Sequence, residues 1–447
     1  MEYPKTHFTR PWRITFLVVF IIAFLIISPI LILYTSGYRF DFKNGIVQET
    51  GAISIDVSPK NVVAYLNDVK LETKIPIRLK NLIKGKYKIK LTSDGFYDWE
   101  KEIIVKNKQT AYIKEIKLIQ KSEPQKIADN KIDRLFLSND NNYIIYEVND
   151  SLTTFWLRDL KKNIENKIFT GTIGKTYQVE WSSFKNNFAT ISADDFSEIY
   201  IINPKEPEKN WDLAKEEKNK ISKIQWGDLS QPEIFYSTTD QLMVSNVETK
   251  QNLTIGKNIF LDWYVEKGQI WTIQNPSSTN QTIITKDTFG FSKVFNNIIK
   301  INDKKINWKI VKAQDNQILL KKSDVSEMIL LNPDKQFSIF GDKFLSSNFN
   351  NWWIIWTPWE ITTFSQNEEP FLLNRSGEQL KKVIVLDEYN TLGLIWSDKM
   401  TAIFPYYFVN HNLINNKIND AVADTQKREL YFSANLNNQD GLWQIKY

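Results

Sequence analysis

Four tryptophans stand close together in the segment NNWWIIWTPWE, residues 350–360. On a β-strand, Trp352 and Trp356 would face one side, while Trp353 and Trp359 would face the other. An exposed pair would form a stacking surface for a sugar or a peptide. The alternative is that both faces pack against neighbouring sheets. The sequence therefore offers one candidate ligand-stacking surface, made of Trp352, Trp353, Trp356 and Trp359.

Side chains suited to nucleophilic or acid–base chemistry are sparse. The chain has no cysteine and two histidines, and His411 is the only histidine beyond the first thirteen residues. A Ser-His-Asp triad would have to use His411. No Gly-x-Ser-x-Gly elbow and no adjacent acid accompanies it, which favours a surface histidine. The sequence also has no Gly-rich phosphate loop.

The acidic pairs Asp194-Asp195 and Glu368-Glu369 would point to opposite faces of a strand and lack the spacing of a calcium loop. We interpret them as solvated loop charges. One histidine and no cysteine leave only carboxylates and amides as metal ligands. We therefore predict no catalytic residue, no cofactor and no metal site. Glycoside hydrolysis by two carboxylates stays open as an alternative, because their separation depends on the fold.

Charge and composition narrow the class of protein. The formal net charge of the 447 residues is +5, and the first thirteen residues contribute +2 of it. The remaining +3 forms no basic block, which disfavours nucleic-acid binding. The lack of cysteine excludes disulfides, thiol nucleophiles and Cys-type zinc sites. It also favours a bacterial envelope protein over a secreted eukaryotic domain, which would usually contain disulfides.

Residues 14–34 read ITFLVVFIIAFLIISPILILY and carry no charge. As a helix they would span about 31 Å, which matches a hydrocarbon core of about 30 Å. A cleaved signal peptide is the alternative, but it would have a shorter apolar region and a small-residue cleavage site. Because Lys5, Arg10 and Arg13 precede the span, the N-terminus is expected in the cytoplasm. We predict a cytoplasmic tail at 1–13, one transmembrane helix at 14–34 and an extracytoplasmic remainder.

Short runs of alternating apolar and polar residues fill residues 51–120, after a predicted juxtamembrane linker at 35–50. Ile53, Ile55 and Val57 alternate in the first run, and Asn67-Asp68 makes a hairpin-like turn. Gly85 and Gly95 stand where turns would need a positive φ. Six or seven such runs indicate a small β-sandwich.

The stretches SPKNVVAYLND, KIP and NLIKGKYKIKLTSDGFYDWEKEIIVKN resemble the PEGA domain. The positions that match its turn and strand pattern are Ser58, Pro59, Leu66, Asn67, Pro76, Leu82, Gly85, Tyr87, Gly95, Phe96 and Trp99. The name-giving Pro-Glu-Gly-Ala reads Pro59-Lys60-Asn61-Val62, Lys74 replaces the usual Thr, and Phe96 replaces Tyr. The YTSGYRF junction is similar to that of membrane-anchored bacterial PEGA proteins. The resemblance implies surface-layer or envelope-associated interaction without an assigned ligand.

Residues 121–447 repeat a pattern in which an apolar strand meets a polar turn and restarts. The eight restarts lie near Phe136, Trp181, Trp226, Trp263, Trp308, Phe344, Trp396 and Val422, at intervals of about 35–50 residues. This spacing is typical of four-stranded propeller blades, which cover one another's faces. We predict eight blades, with seven as the close alternative, and expect residues 125–128 to complete the blade that holds the final GLWQIKY. A β-solenoid or stacked sandwiches would share much of the pattern.

The restarts at Trp181, Trp226 and Trp396 resemble WD40-like and TolB-like propeller repeats, in which a tryptophan and a Ser-x-Asp/Gly turn lead the blade. The expected fold is an all-β ectodomain, a small PEGA-like β-sandwich plus a seven- or eight-bladed β-propeller, with one N-terminal transmembrane helix. The expected function is non-enzymatic binding or scaffolding in the cell envelope. Its partner would be an envelope protein, a peptide or a cell-wall glycan. A propeller hydrolase acting on envelope polysaccharide is the alternative.

Overall fold

The chain folds into two units, Met1–Lys121 and Ser122–Tyr447. The structure is a computed structural model. It describes residues 10–41, 45–183, 187–227, 231–257, 260–274, 282–288, 299–301, 308–314, 317–322, 327–332, 335–347, 349, 352–365 and 369–447.

The first unit begins with helix α1 (Arg10–Thr35), which is long and apolar enough to cross a membrane. It extends past the uncharged run of residues 14–34 at both ends, because backbone hydrogen bonding does not stop where the apolar side chains do. The hydroxyl of Thr15 donates to the carbonyl of Pro11 at 3.1 Å, and that of Thr35 donates to Leu31 at 2.9 Å. These polar side chains are thereby satisfied within the helix itself.

Eight strands complete this unit. They are β1 (Tyr38–Asp41), β2 (Ile46–Ser58), β3 (Val63–Leu66), β4 (Val69–Lys70), β5 (Ile77–Ile83), β6 (Gly85–Thr92), β7 (Trp99–Val105) and β8 (Thr110–Lys117). One sheet has the order β1-β2-β5, with β8 parallel to β2, and the other has the order β4-β3-β6-β7. Residues 35–50, for which the sequence predicts a linker, contain β1 and the start of β2, paired as a hairpin.

The core of the sandwich comes from the predicted alternation. Ile53 and Ile55 of β2 and Ile89 and Leu91 of β6 are fully buried, with Trp99 among them. Asn67 and Asp68 both have positive φ, as a two-residue hairpin turn requires. Gly95 also has a positive φ of 78°, whereas Gly85 has none and instead begins β6. The expected turn glycine at position 85 is therefore a strand residue.

The second unit opens with β9 (Gln125–Ala128) and continues with four blades of four strands each. Blade 1 has β10 (Arg134–Leu137), β11 (Tyr143–Asn149), β12 (Thr153–Asp159) and β13 (Ile164–Thr170). Blade 2 has β14 (Tyr177–Trp181), β15 (Ala189–Ala193), β16 (Ile199–Ile202) and β17 (Trp211–Asp212), with a short helix α2 (Leu213–Glu216) after it. Blade 3 has β18 (Lys223–Trp226), β19 (Glu233–Ser237), β20 (Gln241–Asn246) and β21 (Gln251–Lys257). Blade 4 has β22 (Asp262–Glu266), β23 (Gln269–Gln274), β24 (Thr282–Thr288) and β25 (Ile299–Ile301).

Four further blades follow in the same manner. Blade 5 has β26 (Trp308–Gln314), β27 (Gln317–Lys322), β28 (Glu327–Asn332) and β29 (Lys335–Phe340). Blade 6 has β30 (Lys343–Ser346), β31 (Trp353–Trp356), β32 (Glu360–Phe364) and β33 (Phe371–Arg375). Blade 7 has β34 (Lys382–Val385), β35 (Leu392–Ile395), β36 (Met400–Phe404) and β37 (Val409–Ile414). Blade 8 has β38 (Ile418–Asp424), β39 (Glu429–Leu436), β40 (Gln439–Lys446) and, as its fourth strand, β9.

Apolar clusters fill the gaps between neighbouring blades, so each sheet buries both faces. Blades 1 and 2 share a cluster that includes Phe155, Tyr177 and Ile191. Blades 8 and 1 share another, in which Tyr431 and Leu442 pack with residues of β10 and β11. This arrangement explains why second strands such as β15 and β31 are buried at every position rather than at alternate ones.

The ring closes where β9 pairs antiparallel with β40. Ala128 lies opposite Leu442, Lys126 opposite Trp443 and Gln125 opposite Gln444. The hydroxyl of Ser122 extends this pairing, because it donates to the carbonyl of Lys446 at 2.6 Å and accepts from the Lys446 amide at 2.9 Å. The propeller of eight blades and its predicted closing strand at 125–128 are thus confirmed.

We predict that Gly441→Ala loosens the closure. A Cβ at Gly441 would lie 2.6 Å from the backbone carbonyl oxygen of Ala128, so β9 would have to shift. Overpacking of this kind costs about 1–3 kcal/mol, and the melting temperature measured by circular dichroism should fall. Gly377→Ala is the matched control, since a Cβ there meets nothing within 4 Å. Equal melting temperatures for the two variants would contradict the prediction.

Candidate functional site

Three of the four clustered tryptophans lie inside the propeller. Trp353 packs edge-on against Phe344 and contacts Phe364, in the cluster between blades 5 and 6. Trp356 belongs to the cluster between blades 6 and 7. Trp352 contacts the rings of Phe371 and Tyr406. Because neighbouring blades cover both faces of β31, these three rings are buried and offer no stacking surface.

Trp359 is the exception, with 51% of its surface exposed. It lies in the turn between β31 and β32, where its backbone amide donates to the hydroxyl of Thr357 at 3.1 Å. Of the candidate stacking surface predicted from Trp352, Trp353, Trp356 and Trp359, only Trp359 can meet a ligand.

The other candidate side chains from the sequence lie on separate elements of the propeller. His411 is on β37, where its ring lies edge-on to Phe404. Asp194 and Asp195 are exposed and accept hydrogen bonds from Thr176 and Ser197. Glu369 forms an exposed ion pair with Lys335, and Glu368 lies outside the described residues. Within the part of the chain that the structure describes, no three His, Cys, Asp or Glu residues form a group suited to a metal ion.

The first strands of the blades, hereafter the inner strands, pack side by side around the propeller axis. Tryptophan side chains form hydrogen bonds between some neighbouring inner strands. The indole nitrogen of Trp181 in blade 2 donates to the carbonyl of Phe136 in blade 1 at 3.1 Å. Trp226 in blade 3 donates in the same way to Glu180 in blade 2 at 3.2 Å. Two of the tryptophans that end a restart in the sequence, Trp181 and Trp226, are therefore cross-blade hydrogen-bond donors.

A ring of polar residues marks the end of the axis where the inner strands begin. We call this set the inner-strand ring. One residue per blade contributes, and the members are Arg134, Gln178, Lys223, Asp262, Lys309, Lys343, Lys382 and Asp420. Five basic and two acidic side chains give it a net positive charge.

Hydrogen bonds between blades hold the acidic members of this ring. Lys223 donates to Asp262 at 2.6 Å, and the other oxygen of Asp262 accepts from the amide of Ile310 at 2.6 Å. Lys382 and Asp420 repeat the arrangement at 2.6 Å, and Asp420 also accepts from the Leu135 amide at 2.8 Å. Each aspartate therefore links three successive blades.

A cavity of 440 Å³ opens beside the inner-strand ring and is lined by residues of blades 2 to 5. Its lining combines the charged ring members Lys223, Asp262 and Lys309 with the apolar side chains of Leu261 and Trp263. Such a mixture suits a ligand with both apolar and polar groups.

Exposed apolar side chains surround the inner-strand ring. Because successive strands alternate in direction, the turns between second and third strands lie at the same end as the connections between blades. Ile173 is 80% exposed in one such connection. Within the described residues, the large apolar side chains exposed at this end are Leu152, Ile173, Leu261, Phe340 and Trp359. We call this end, with these five residues and the inner-strand ring, the ring face.

At the opposite end of the propeller, the exposed large apolar residues within the described ranges are Ile164, the first residue of β13, and Tyr406 and Phe408, both in one connection of blade 7. Leu253 and Leu372 are exposed on fourth strands, at the rim. Apolar side chains from blades 1, 3, 5 and 6 thus converge on the ring face, and this uneven distribution marks it as the candidate functional site.

A partly buried hydrogen-bond network shapes one corner of the ring face. Glu198 accepts hydrogen bonds from Thr172 at 2.8 Å, Lys175 at 2.7 Å and Tyr177 at 2.8 Å. Burial alone would raise the pKa of the Glu198 carboxyl, but the hydrogen bonds outweigh it and lower this pKa. The carboxylate thereby fixes the connection that presents Ile173.

Two carboxyls near the axis have a raised pKa. Glu180 of blade 2 remains accessible to solvent, but partial desolvation by the neighbouring inner strands raises the pKa of its carboxyl, and the charge of Lys223 opposes this rise. Burial raises the pKa of Asp387, which follows the inner strand of blade 7 and accepts from the amides of Tyr389 and Thr391 at 3.0 Å. Blades 2 and 7 are not neighbours in the ring.

Residues 50–120 match the family model of the PEGA domain. The resemblance carried by the Ser-Pro turn and the Gly-x-Tyr strand is thereby confirmed for the sandwich. The matched residues do not include the propeller. No curated protein sequence matches the chain significantly.

Several solved propellers are similar to the chain in structure. Sqt1 of Saccharomyces cerevisiae is 10% identical, with a TM-score of 0.46, over 74% of this chain and 100% of that one. The Dos1 propeller is 9% identical, with a TM-score of 0.47, over 73% and 95%. The Cps50 (Swd1) β-propeller domain of Myceliophteria thermophila is 7% identical, with a TM-score of 0.42, over 72% and 98%.

We predict opposite outcomes for two tryptophan substitutions. Trp353→Ala would empty a buried site between blades and cost about 3–5 kcal/mol, which should lower the melting temperature measured by far-ultraviolet circular dichroism. Trp359→Ala removes an exposed ring and should change stability by about 0.5 kcal/mol or less. A large loss with Trp359→Ala would show that this ring is part of the core.

A second prediction concerns pH. Because the pKa of Glu198 is lowered in the folded state, its carboxylate stabilises the protein above the unfolded pKa, and this stabilisation is lost as the pH falls through the folded pKa. Glu198→Gln should destabilise the protein at pH 7 by about 1.5–3 kcal/mol, and the difference from wild type should shrink in acid.

Thermal unfolding at several pH values measures this effect. Glu369→Gln is the control, because its ion pair with Lys335 is exposed and worth little. A Glu198→Gln defect that stays constant from neutral pH into acid would contradict the assignment.

Proposed function

We propose that the chain is a non-enzymatic, membrane-anchored scaffold that binds a protein or peptide partner through the ring face of its propeller. The observation that carries this proposal is the gathering of exposed apolar side chains around a charged ring at one end of a closed propeller. Apolar residues supply most of the binding energy at interfaces, and surrounding charges supply selectivity.

The chemistry of the ring face favours a mixed apolar and polar partner. Its charged ring holds both signs, with Asp262 and Asp420 already engaged by lysines. A polyanion such as nucleic acid would call for a continuous basic surface. A cell-wall glycan is the second candidate ligand, favoured specifically by the exposed ring of Trp359, on which a sugar could stack.

Location is part of the same proposal. We assign α1 as an uncleaved membrane anchor with the N-terminus in the cytoplasm, because Lys5, Arg10 and Arg13 precede or begin the helix. The PEGA unit and the propeller then lie outside the cytoplasm, in the envelope of a bacterium. In this arrangement the sandwich is a spacer and the propeller is the binding module.

The test is retention of envelope components by the full-length protein in detergent. The immobilised chain is incubated with solubilised envelope and with peptidoglycan of the source organism. We expect a specific partner to bind wild type and to be lost from the triple variant Ile173→Asp, Leu261→Asp, Trp359→Asp.

The matched control is Ile164→Asp, Leu253→Asp, Leu372→Asp, which adds the same charges to exposed apolar positions away from the ring face. This control should retain the partner. Loss of the partner from both variants, or from neither, would refute binding through the ring face. Retention of peptidoglycan alone would favour the glycan over the protein partner.

A further inference from the structure

Three apolar side chains are exposed on the hairpin that follows α1. Phe40, Ile46 and Val47 each have just over half of their surface exposed. Phe40 and Val47 lie directly opposite each other in the pairing of β1 with β2, so they form one apolar patch. A hairpin that exposes this much apolar surface would be expected to contact something other than water.

Arg39 fastens the hairpin to the end of the helix. Its guanidinium donates to the carbonyl of Tyr34 at 2.7 Å and to the carbonyl of Tyr38 at 2.6 Å. It also lies over the Tyr34 ring, 3.7 Å from its centre. One side chain thus caps the last turn of α1 and holds the first strand beside it.

These contacts set the level of the hairpin relative to a bilayer. Tyr34 ends the apolar run, so in a spanning helix it lies at the boundary of the hydrocarbon core. The polar layer on each side of that core is about 5–7 Å thick. The amide of Gly37 donates to the carbonyl of Tyr34 at 3.3 Å, and β1 begins one residue further on, at Tyr38, about 3.8 Å along the chain. The hairpin therefore starts inside the headgroup layer.

The hairpin is also bound to the sandwich. Thr50 donates from both its amide and its hydroxyl to the carbonyl of Gly37, at 2.9 and 2.8 Å. Lys108 pairs with Glu49 at 2.8 Å, and Glu49 accepts from the hydroxyl of Tyr38 at 2.8 Å. A contact made by the hairpin is therefore transmitted to the sandwich core through β2.

We propose that the hairpin of β1 and β2 is a second membrane contact, in which the Phe40–Val47 patch rests in the headgroup layer of a phospholipid bilayer. The continuity of the hairpin with the spanning helix favours lipid as the occupant of the patch. The sandwich is then docked on the membrane surface rather than held by a free linker. This inference rests on the proposed membrane anchoring of α1.

The absence of cysteine makes a direct test possible, because one introduced cysteine is a unique labelling site. Val47→Cys and Asn61→Cys are each labelled with an environment-sensitive fluorophore in the full-length chain. The proteins are reconstituted in phosphatidylcholine–phosphatidylglycerol vesicles with or without a headgroup nitroxide quencher. Asn61 is the matched control, since it is exposed just beyond the far end of β2.

We expect the label at position 47 to shift to the blue and to be quenched several-fold more than the label at position 61. Equal quenching at the two positions in carbonate-resistant protein would overturn the hairpin contact while leaving the anchor in place. A blue shift at position 47 without lipid quenching would also overturn it, since protein would then cover the patch. Extraction of the protein by carbonate would refute the anchor itself.

Discussion

Each four-stranded blade must bury the two faces of its sheet against neighbouring blades. In this propeller, the last blade is completed by a strand from the other end of the domain, which closes the ring. The pairing of β9 with β40 supplies that strand. Without it, Leu442 and Tyr431 would lose the neighbours in blade 1 that bury them. The closed ring depends on this pairing, because an open array leaves one blade face uncovered at each end.

Closure also explains the charges near the axis. The inner strands lie side by side there. Each pairs with the second strand of its own blade on one edge and has no partner strand on the other edge. Asp262 and Asp420 bridge this space by accepting from a lysine on one side and a backbone amide on the other. The ring face is thus first a structural device. The exposed ring lysines Lys309 and Lys343 give the same surface a positive character.

Local patterns were sufficient to predict the helix, the sandwich strands and the number of blades. Alternating residues such as Ile53 and Ile55, or a tryptophan before a polar turn at 181 and 226, specify elements from a few neighbouring positions. The burial or exposure of each tryptophan at 352–359 could not be predicted in this way. Burial of Trp353, for example, depends on Phe344 and Phe364 and on the blade before it. The Glu198 network likewise joins residues more than twenty positions apart in sequence, from the connection before blade 2 and from a turn within it. The turn glycine at 95 was predictable because its conformation is local, whereas the pairing of residues 38–49 into a hairpin was hidden by its mixed composition.

The position of β9 has a mechanical consequence. Gln125 follows the end of the first unit by only a few residues, so tension along the chain would enter the propeller through this four-residue strand. The load would fall on the hydrogen bonds to β40 and on the contacts of Ser122 with Lys446. Force applied along the chain would therefore strain the pairing of β9 with β40 before it reached the other blades.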